Sequence, residues 1–333
     1  MKKLSIVMPF LKEGLEPVKT ITSINNTTNP QEIEIIAICD EPEYEHEDLI
    51  NSFNNVKFIK NSHTVGIDAS RSIGIHAATA PATLIIDGHM RFSRDDWVNK
   101  ILEATKKEPT TLWCTKSLVL DTTMSDEELD PFKDALHKER HFSVGAEFHF
   151  NKDHNYPFGL IWLHLTTFKD KYQDNEVPCV LGANYASSTE WLKRSRLFEG
   201  LIGYGFSEQY ASIKNWLLGG KCKGLEDVGI AHIFRKNRPY TANYTQHLYN
   251  MLFTAYTLFP DELDFYTNYI NFIASKNVSN PQFNLALEML EQRYDIVATY
   301  RHHALSMKTI KVVDMLSHLN INFEDMYNPE TIE

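Results

Sequence analysis

Long apolar runs are missing from this chain. No stretch approaches the roughly 18 consecutive apolar residues of a membrane-spanning helix. The N-terminal run from Leu4 to Leu11 is short and broken by Pro9, a weak signal-peptide pattern that leads us to expect a cytoplasmic protein. Cysteine is scarce: Cys39, Cys114, Cys179 and Cys222 are the only four in 333 residues, and their spacing suggests neither disulfide pairs nor a zinc site. They read as buried free thiols of a reducing compartment. Positive charge is also in deficit, with 33 Lys plus Arg against 44 Asp plus Glu and a formal charge of −11. That balance argues against general electrostatic capture of nucleic acid or anionic membrane. Fixed-period repeats and low-complexity tracts are absent too, which excludes solenoids and propellers.

What is present is the composition of a globular protein, 43% hydrophobic and 23% charged. In the first 120 residues short β-rich runs alternate with amphipathic stretches. Leu4 to Met8, Ile33 to Cys39, Val56 to Ile59 and Ala82 to Ile86 are expected strands. Pro17 to Ile24, Ile67 to Ala78 and a stretch from Asp95 and Asp96 to about Lys106 are expected helices. The alternation predicts an α/β fold with a mostly parallel sheet and right-handed crossovers. Ligands of such sheets sit beyond the carboxyl ends of strands, where Asp40 and Asp87 fall.

Regularity fades between Thr111 and Tyr185, which read as short strands and loops over one face of the sheet. Helices return at Glu190 to Leu197 and Ser207 to Leu218, and from Tyr244 onward the pattern is almost wholly helical, broken at Asn277 to Pro281. The domain reading is therefore 1–240 for an α/β catalytic part and 241–333 for a helical C-terminal region. Leu248, Leu252, Ala255, Leu258, Leu285, Leu287 and Leu290 have core-like spacing, expected to pack on the catalytic part or on a second subunit in a homo-oligomer.

Two motifs carry chemistry. Leu84-Ile85-Ile86-Asp87-Gly88-His89 runs an apolar strand into an acidic residue, a small residue and a histidine. Extended-chain alternation places Asp87 and His89 on one side, and a carboxylate with an imidazole suits a borderline divalent ion such as Mn²⁺. A polar turn after a buried strand is the plain alternative. The second motif, Gly229 to Tyr240, offers His232 as a third ligand, and Arg235, Lys236 and Arg238 as cations suited to a diphosphate. A satisfied core histidine is the plain alternative for His232.

These residues resemble glycosyltransferases of the GT-A fold and, within that fold, glycosyltransferase family 2 and the catalytic domain of polypeptide N-acetylgalactosaminyltransferases, over about Leu4 to Tyr240. That group carries an Asp-x-His triplet after a strand and a later His-x-Phe-Arg segment followed by Pro-Tyr. The resemblance implies that Asp87, His89 and His232 are the metal ligands and that Arg235 and Tyr240 meet the donor diphosphate. Gly66-Ile67-Asp68-Ala69-Ser70-Arg71 matches the group's Gly-Leu-Ile-Arg-x-Arg with Ala69 in place of the first arginine. Gly182-Ala183 matches its Gly-Gly, and Tyr204-Gly205-Phe206-Ser207-Glu208 its Trp-Gly-Gly-Glu. By this resemblance Arg71, Asp87, the Gly182-Ala183 backbone and Glu208 line the donor-sugar pocket, Gly66 and Tyr204 also bind the donor, and Asp40 holds the uridine end. Thr64 stands where the group has arginine, and the last ~90 residues show helical periodicity rather than short strands.

The implied activity is metal-dependent transfer of a sugar from a UDP-sugar donor to a hydroxyl on a protein or glycan, with retention of configuration. An inverting course would need a base, for which Glu208 is the candidate. A hydroxymethylated base in DNA is the alternative acceptor, and a nucleotide-sugar-binding protein without catalysis the alternative class. Among other residues, His137 and His141 are spaced as a metal pair but read as a solvated helix face. Adjacent His302 and His303 read as surface, and Lys193, Arg194 and Arg196 as an exposed helix face. Tyr156, Phe158, Trp162 and Phe168 fit either an acceptor platform or a core patch.

Overall fold

The computed structural model describes residues 1–93, 96–120, 143–150, 157–181, 183–235 and 239–323. The early alternation forms as expected: β1 (Leu4–Phe10), α1 (Glu16–Thr27), β2 (Ile33–Cys39), α2 (Glu47–Asn51), β3 (Val56–Lys60), α3 (Ile67–Ala77), β4 (Ala82–Ile86) and β5 (Met90–Phe92). Pro17 opens α1, where a missing N–H costs nothing. Then come α4 (Trp97–Lys107), β6 (Thr111–Val119), β7 (Ser143–His149), β8 (Gly159–His164), α5 (Leu165–Lys171), β9 (Asn184–Ser188), α6 (Thr189–Ser195), α7 (Ser207–Leu217) and β10 (Lys221–His232).

The sheet runs β3-β2-β1-β4-β9-β6-β10-β5, with the β7–β8 hairpin attached through β6. Its first four strands are parallel, β9 is antiparallel to both β4 and β6, and β10 is parallel to β6. The stretch expected to lie over one face therefore contributes β6 and β9 to the middle of the sheet. Their polar residues hid this: Thr115, Ser117, Asn184 and Ser187 are all buried, with Asn184 and Ser117 hydrogen-bonded to each other. β10 is likewise masked by a register shift between Leu225 and Gly229, which breaks the alternation of sides.

Near-continuous apolar strands such as Ile33–Cys39 serve two cores, one on each face. Ile6, Met8, Ile35 and Leu84 pack with Trp97 and Ile101 of α4 on one face. Val7, Ile36, Ile38 and Ile85 belong to the other core. That second core also takes in the C-terminal helices α8 (Tyr244–Leu258), α9 (Leu263–Lys276), α10 (Pro281–Gln292), α11 (Tyr294–Met307) and α12 (Val312–His318). Leu248, Leu252, Ala255 and Leu258 are buried in it, so these helices pack on the α/β part of the same chain. Asn243 and Asn280 cap α8 and α10, their side chains accepting from the backbone N–H of Thr245 and Gln282. The break expected at Asn277 to Pro281 falls between α9 and α10. All four cysteines are free and buried. No helix among the described residues is long and apolar enough to cross a membrane.

Candidate active site

A cavity of about 450 Å³ opens at the carboxyl ends of β1, β2 and β4. Asp87 follows β4, His89 precedes β5, and His232 closes β10; pairing of His232 with Met90 brings the last two together. One ligand atom from each of Asp87, His89 and His232 lies within 4.8 Å of the others. The two imidazoles are 4.7 Å apart between ring centroids. Gly88 between them is small for a reason: a Cβ there would sit 2.8 Å from the Cβ of Phe10.

Several polar atoms of this trio lack an aligned partner among the described residues. Both ring nitrogens of His232 and Nδ1 of His89 are buried and make no hydrogen bond among the described residues. His232 Nε2 lies 3.4 Å from the Asp87 carboxylate, and His89 Nδ1 3.2 Å from Glu13, contacts that attract without aligned hydrogen bonds. Burial alone would raise the Asp87 pKa, but His232 beside it and the charges of His89 and Arg71 hold it below the usual carboxylate range. An ionised carboxylate with two unsatisfied imidazoles, each a buried cost if left unpaired, fits a borderline divalent cation.

Around the trio the structure places the other expected residues. Asp40, at the end of β2, has both carboxylate oxygens engaged: Oδ1 accepts from Asn61 and the Val65 N–H, and Oδ2 from the Gly66 N–H at 2.9 Å. Asp40 thus pins the loop that enters α3. Gly66 has φ +100°, and a Cβ would stand 2.6 Å from the backbone nitrogen of Gly203, so only glycine fits this close approach. Arg71, in α3, is 3% exposed. Its guanidinium lies over the Tyr185 and Phe198 rings and is ion-paired with Asp68 at 3.0 Å. Glu208, in the first turn of α7, stands 3.6 Å from the same guanidinium. Burial raises its pKa, and Arg71 pulls it back only in part. Tyr204 and Tyr240 line the cavity with ring centroids 5.5 Å apart, and Ala183 lines it beside Asp87. Arg235 also lines it and is ion-paired with Glu13.

Gly182, Lys236, Arg238, His137, His141 and Tyr156 lie outside the described residues. The remaining aromatic candidates divide: Phe158 and Phe168 are core, whereas Trp162 is 48% exposed, lines the cavity and packs against Phe234. Of the surface candidates, His302 is exposed, while His303 reaches the Arg194 carbonyl. Lys193 donates to the Ala78 carbonyl, so that helix face is not a bare cationic patch.

Sequence reasoning missed Glu13, Asp68, Phe234 and Gln246. Glu13 follows the end of β1 closely, the position that flagged Asp40 and Asp87. Asp68 and Arg71 have the i, i+3 spacing of a helical ion pair. Nothing local marks Gln246, which reaches the cavity from α8.

Residues 5–195 match the family model "Glycosyl transferase family 2". The chain belongs to glycosyl transferase family 2. This family 2 chain is 24% identical over 251 residues to polypeptide N-acetylgalactosaminyltransferase 10 of Mus musculus, 71% of the chain and 38% of the relative. It is also 24% identical over 258 residues to polypeptide N-acetylgalactosaminyltransferase 18 of Homo sapiens, 74% of the chain and 40% of the relative. It thus spans about two fifths of the length of the curated relatives it matches. Its fold is that of the crystal structure of GalNAc-T7 with UDP, GalNAc and Mn²⁺, at a TM-score of 0.70 and 19% identity, over 98% of this chain and 58% of the other. The shared architecture is the GT-A one, a central sheet flanked by helices, here with the helical C-terminal region packed against it.

Proposed function

We propose that the chain transfers a sugar from a uridine diphosphate sugar to a hydroxyl acceptor, with a divalent cation held by Asp87, His89 and His232. The observation that carries this reading is the convergence of those three side chains, two from the turn between β4 and β5 and one from the end of β10, on one point of a cavity at strand ends. The named relatives are N-acetylgalactosaminyltransferases, and the GalNAc-T7 structure contains UDP and Mn²⁺, which supports the same ligand class here.

Mn²⁺ in this position would offset the negative charge that develops on a departing diphosphate. The chain's own residues do the rest. Arg235 adds a guanidinium and Tyr240 a hydroxyl at the diphosphate end. Asp40 holds the Val65–Gly66 loop in place beside the nucleotide end. Arg71 and Glu208 face the sugar end with Ala183. Trp162 and Phe234, the latter 40% exposed, give the mouth an apolar, aromatic rim suited to an acceptor. The resemblance to polypeptide N-acetylgalactosaminyltransferases implies retention, a course in which the departing phosphate takes the acceptor proton and no separate base is required, whereas the inverting course of the more general family would need a carboxylate base, for which Glu208 is the candidate.

A thermal-shift screen of nucleotide sugars with and without Mn²⁺ tests this reading. A rise in melting point that needs both UDP-sugar and Mn²⁺ supports it; no rise with any common donor contradicts it. Proton NMR of the product then reads the anomeric course.

A further inference from the structure

Two carboxylates compete for one guanidinium in this site. Nη1 of Arg71 donates to Asp68 Oδ1 at 3.0 Å, and Glu208 Oε1 lies farther away at 3.6 Å. Their settings differ. The Asp68 side chain is 1% exposed and lies behind the cavity wall, whereas that of Glu208 is 23% exposed and lines the cavity. Asp68 is held on its other side as well, because its Oδ2 accepts the hydroxyl of Ser207, the residue before Glu208. The guanidinium cannot turn away, since it rests over the Tyr185 and Phe198 rings at 5.7 and 5.5 Å.

A buried guanidinium without a close anion would draw in the nearest carboxylate. Here Asp68 fills that role from the rear at 3.0 Å, so Glu208 remains the more distant partner at 3.6 Å and lines the cavity. The front of this wall then presents the Glu208 carboxylate to the cavity. Sugar hydroxyls donate to such a surface, while a sugar carboxylate meets like charge.

We propose that Asp68 is a positioning residue: by neutralising Arg71 from behind it leaves Glu208 to the donor sugar and makes the sugar end select neutral sugars over anionic ones. This rests on the UDP-sugar reading above. Isothermal titration in the presence of Mn²⁺ tests it, using UDP, UDP-glucose, UDP-galactose, their N-acetylated counterparts and UDP-glucuronate. In the wild type the tightest neutral sugar binds better than the glucuronate. In Asp68→Asn, UDP affinity stays within about twofold of wild type, while the tightest neutral donor loses about tenfold, the size of a lost charged hydrogen bond. The neutral-to-glucuronate preference falls with it, because Arg71 is less neutralised. Ser207→Ala loosens Asp68 without removing a charge and shifts the same ratio in the same direction by a smaller factor, which keeps the test valid if Asp68→Asn folds poorly. A preference unchanged in both variants, or UDP weakened as much as UDP-sugar, overturns the proposal. A wild type that binds no UDP overturns the donor reading itself, and the role of Asp68 with it.

Discussion

His232 Nε2 stands 3.4 Å from the carboxylate of Asp87, although one residue closes β10 and the other follows β4. Replacing His232 with Ala removes two buried, unsatisfied nitrogens from the centre of the trio. Mn²⁺ affinity, read by electron paramagnetic resonance, should fall at least about 100-fold, since loss of even an outer partner of a metal ligand costs 10–100-fold. Circular dichroism should be unchanged, because the His232 ring makes no hydrogen bond that holds the fold among the described residues. Unaltered Mn²⁺ binding would remove His232 from the site.

Glu208 gives a pH signature. Its folded pKa lies above the ordinary carboxylate value of 4.5 because burial disfavours the charge. The folded chain therefore binds this proton more tightly than the unfolded one, and stability contributed by the neutral acid is lost as pH rises through the folded pKa. Glu208→Gln cannot ionise. Its melting point relative to wild type should rise between pH 4 and pH 7 by about 2 °C, while sugar transfer falls. A relative melting point independent of pH would contradict the burial argument.

Much of this site could be read from the residues alone. Asp87, His89 and His232 declared themselves as metal-ligand types after apolar strands, and Asp40 as an acid at a strand end. The first four strands were legible because buried parallel strands are nearly all apolar. β6, β9 and β10 were not, because buried Ser, Thr and Asn pair only once the sheet has assembled. Glu13 and Gln246 escaped notice for a related reason. Glu13 matters through Arg235 and His89, and Gln246 through the docking of α8, and both are contacts between distant segments.

Lys214 offers a control away from the chemistry. It is fully buried in α7, donates to the Arg196 carbonyl at 2.7 Å, and burial lowers its pKa from 10.5 to about 7. Between those values the unfolded chain binds more protons, so stability rises with pH. Denaturant titrations at pH 7 and pH 10 should show wild type gaining stability relative to Lys214→Met. An equal difference at the two pH values would show that the lysine keeps its normal affinity for protons.

Replacing Trp162 tests the proposed acceptor side separately from the donor side. It is 48% exposed and meets Phe234 at 5.7 Å between ring centroids. Trp162→Ala should raise the acceptor KM about tenfold, the scale of a lost aromatic contact, and leave UDP affinity unchanged. A matching loss of UDP affinity would place Trp162 in the donor site instead.

The most direct measurement is the anomalous X-ray signal of manganese in crystals grown with Mn²⁺ and UDP. A single strong peak within coordination distance of Asp87, His89 and His232, with diphosphate oxygens completing the shell, is the expected result. A chain that binds UDP with no manganese between these three side chains would contradict the account at its centre.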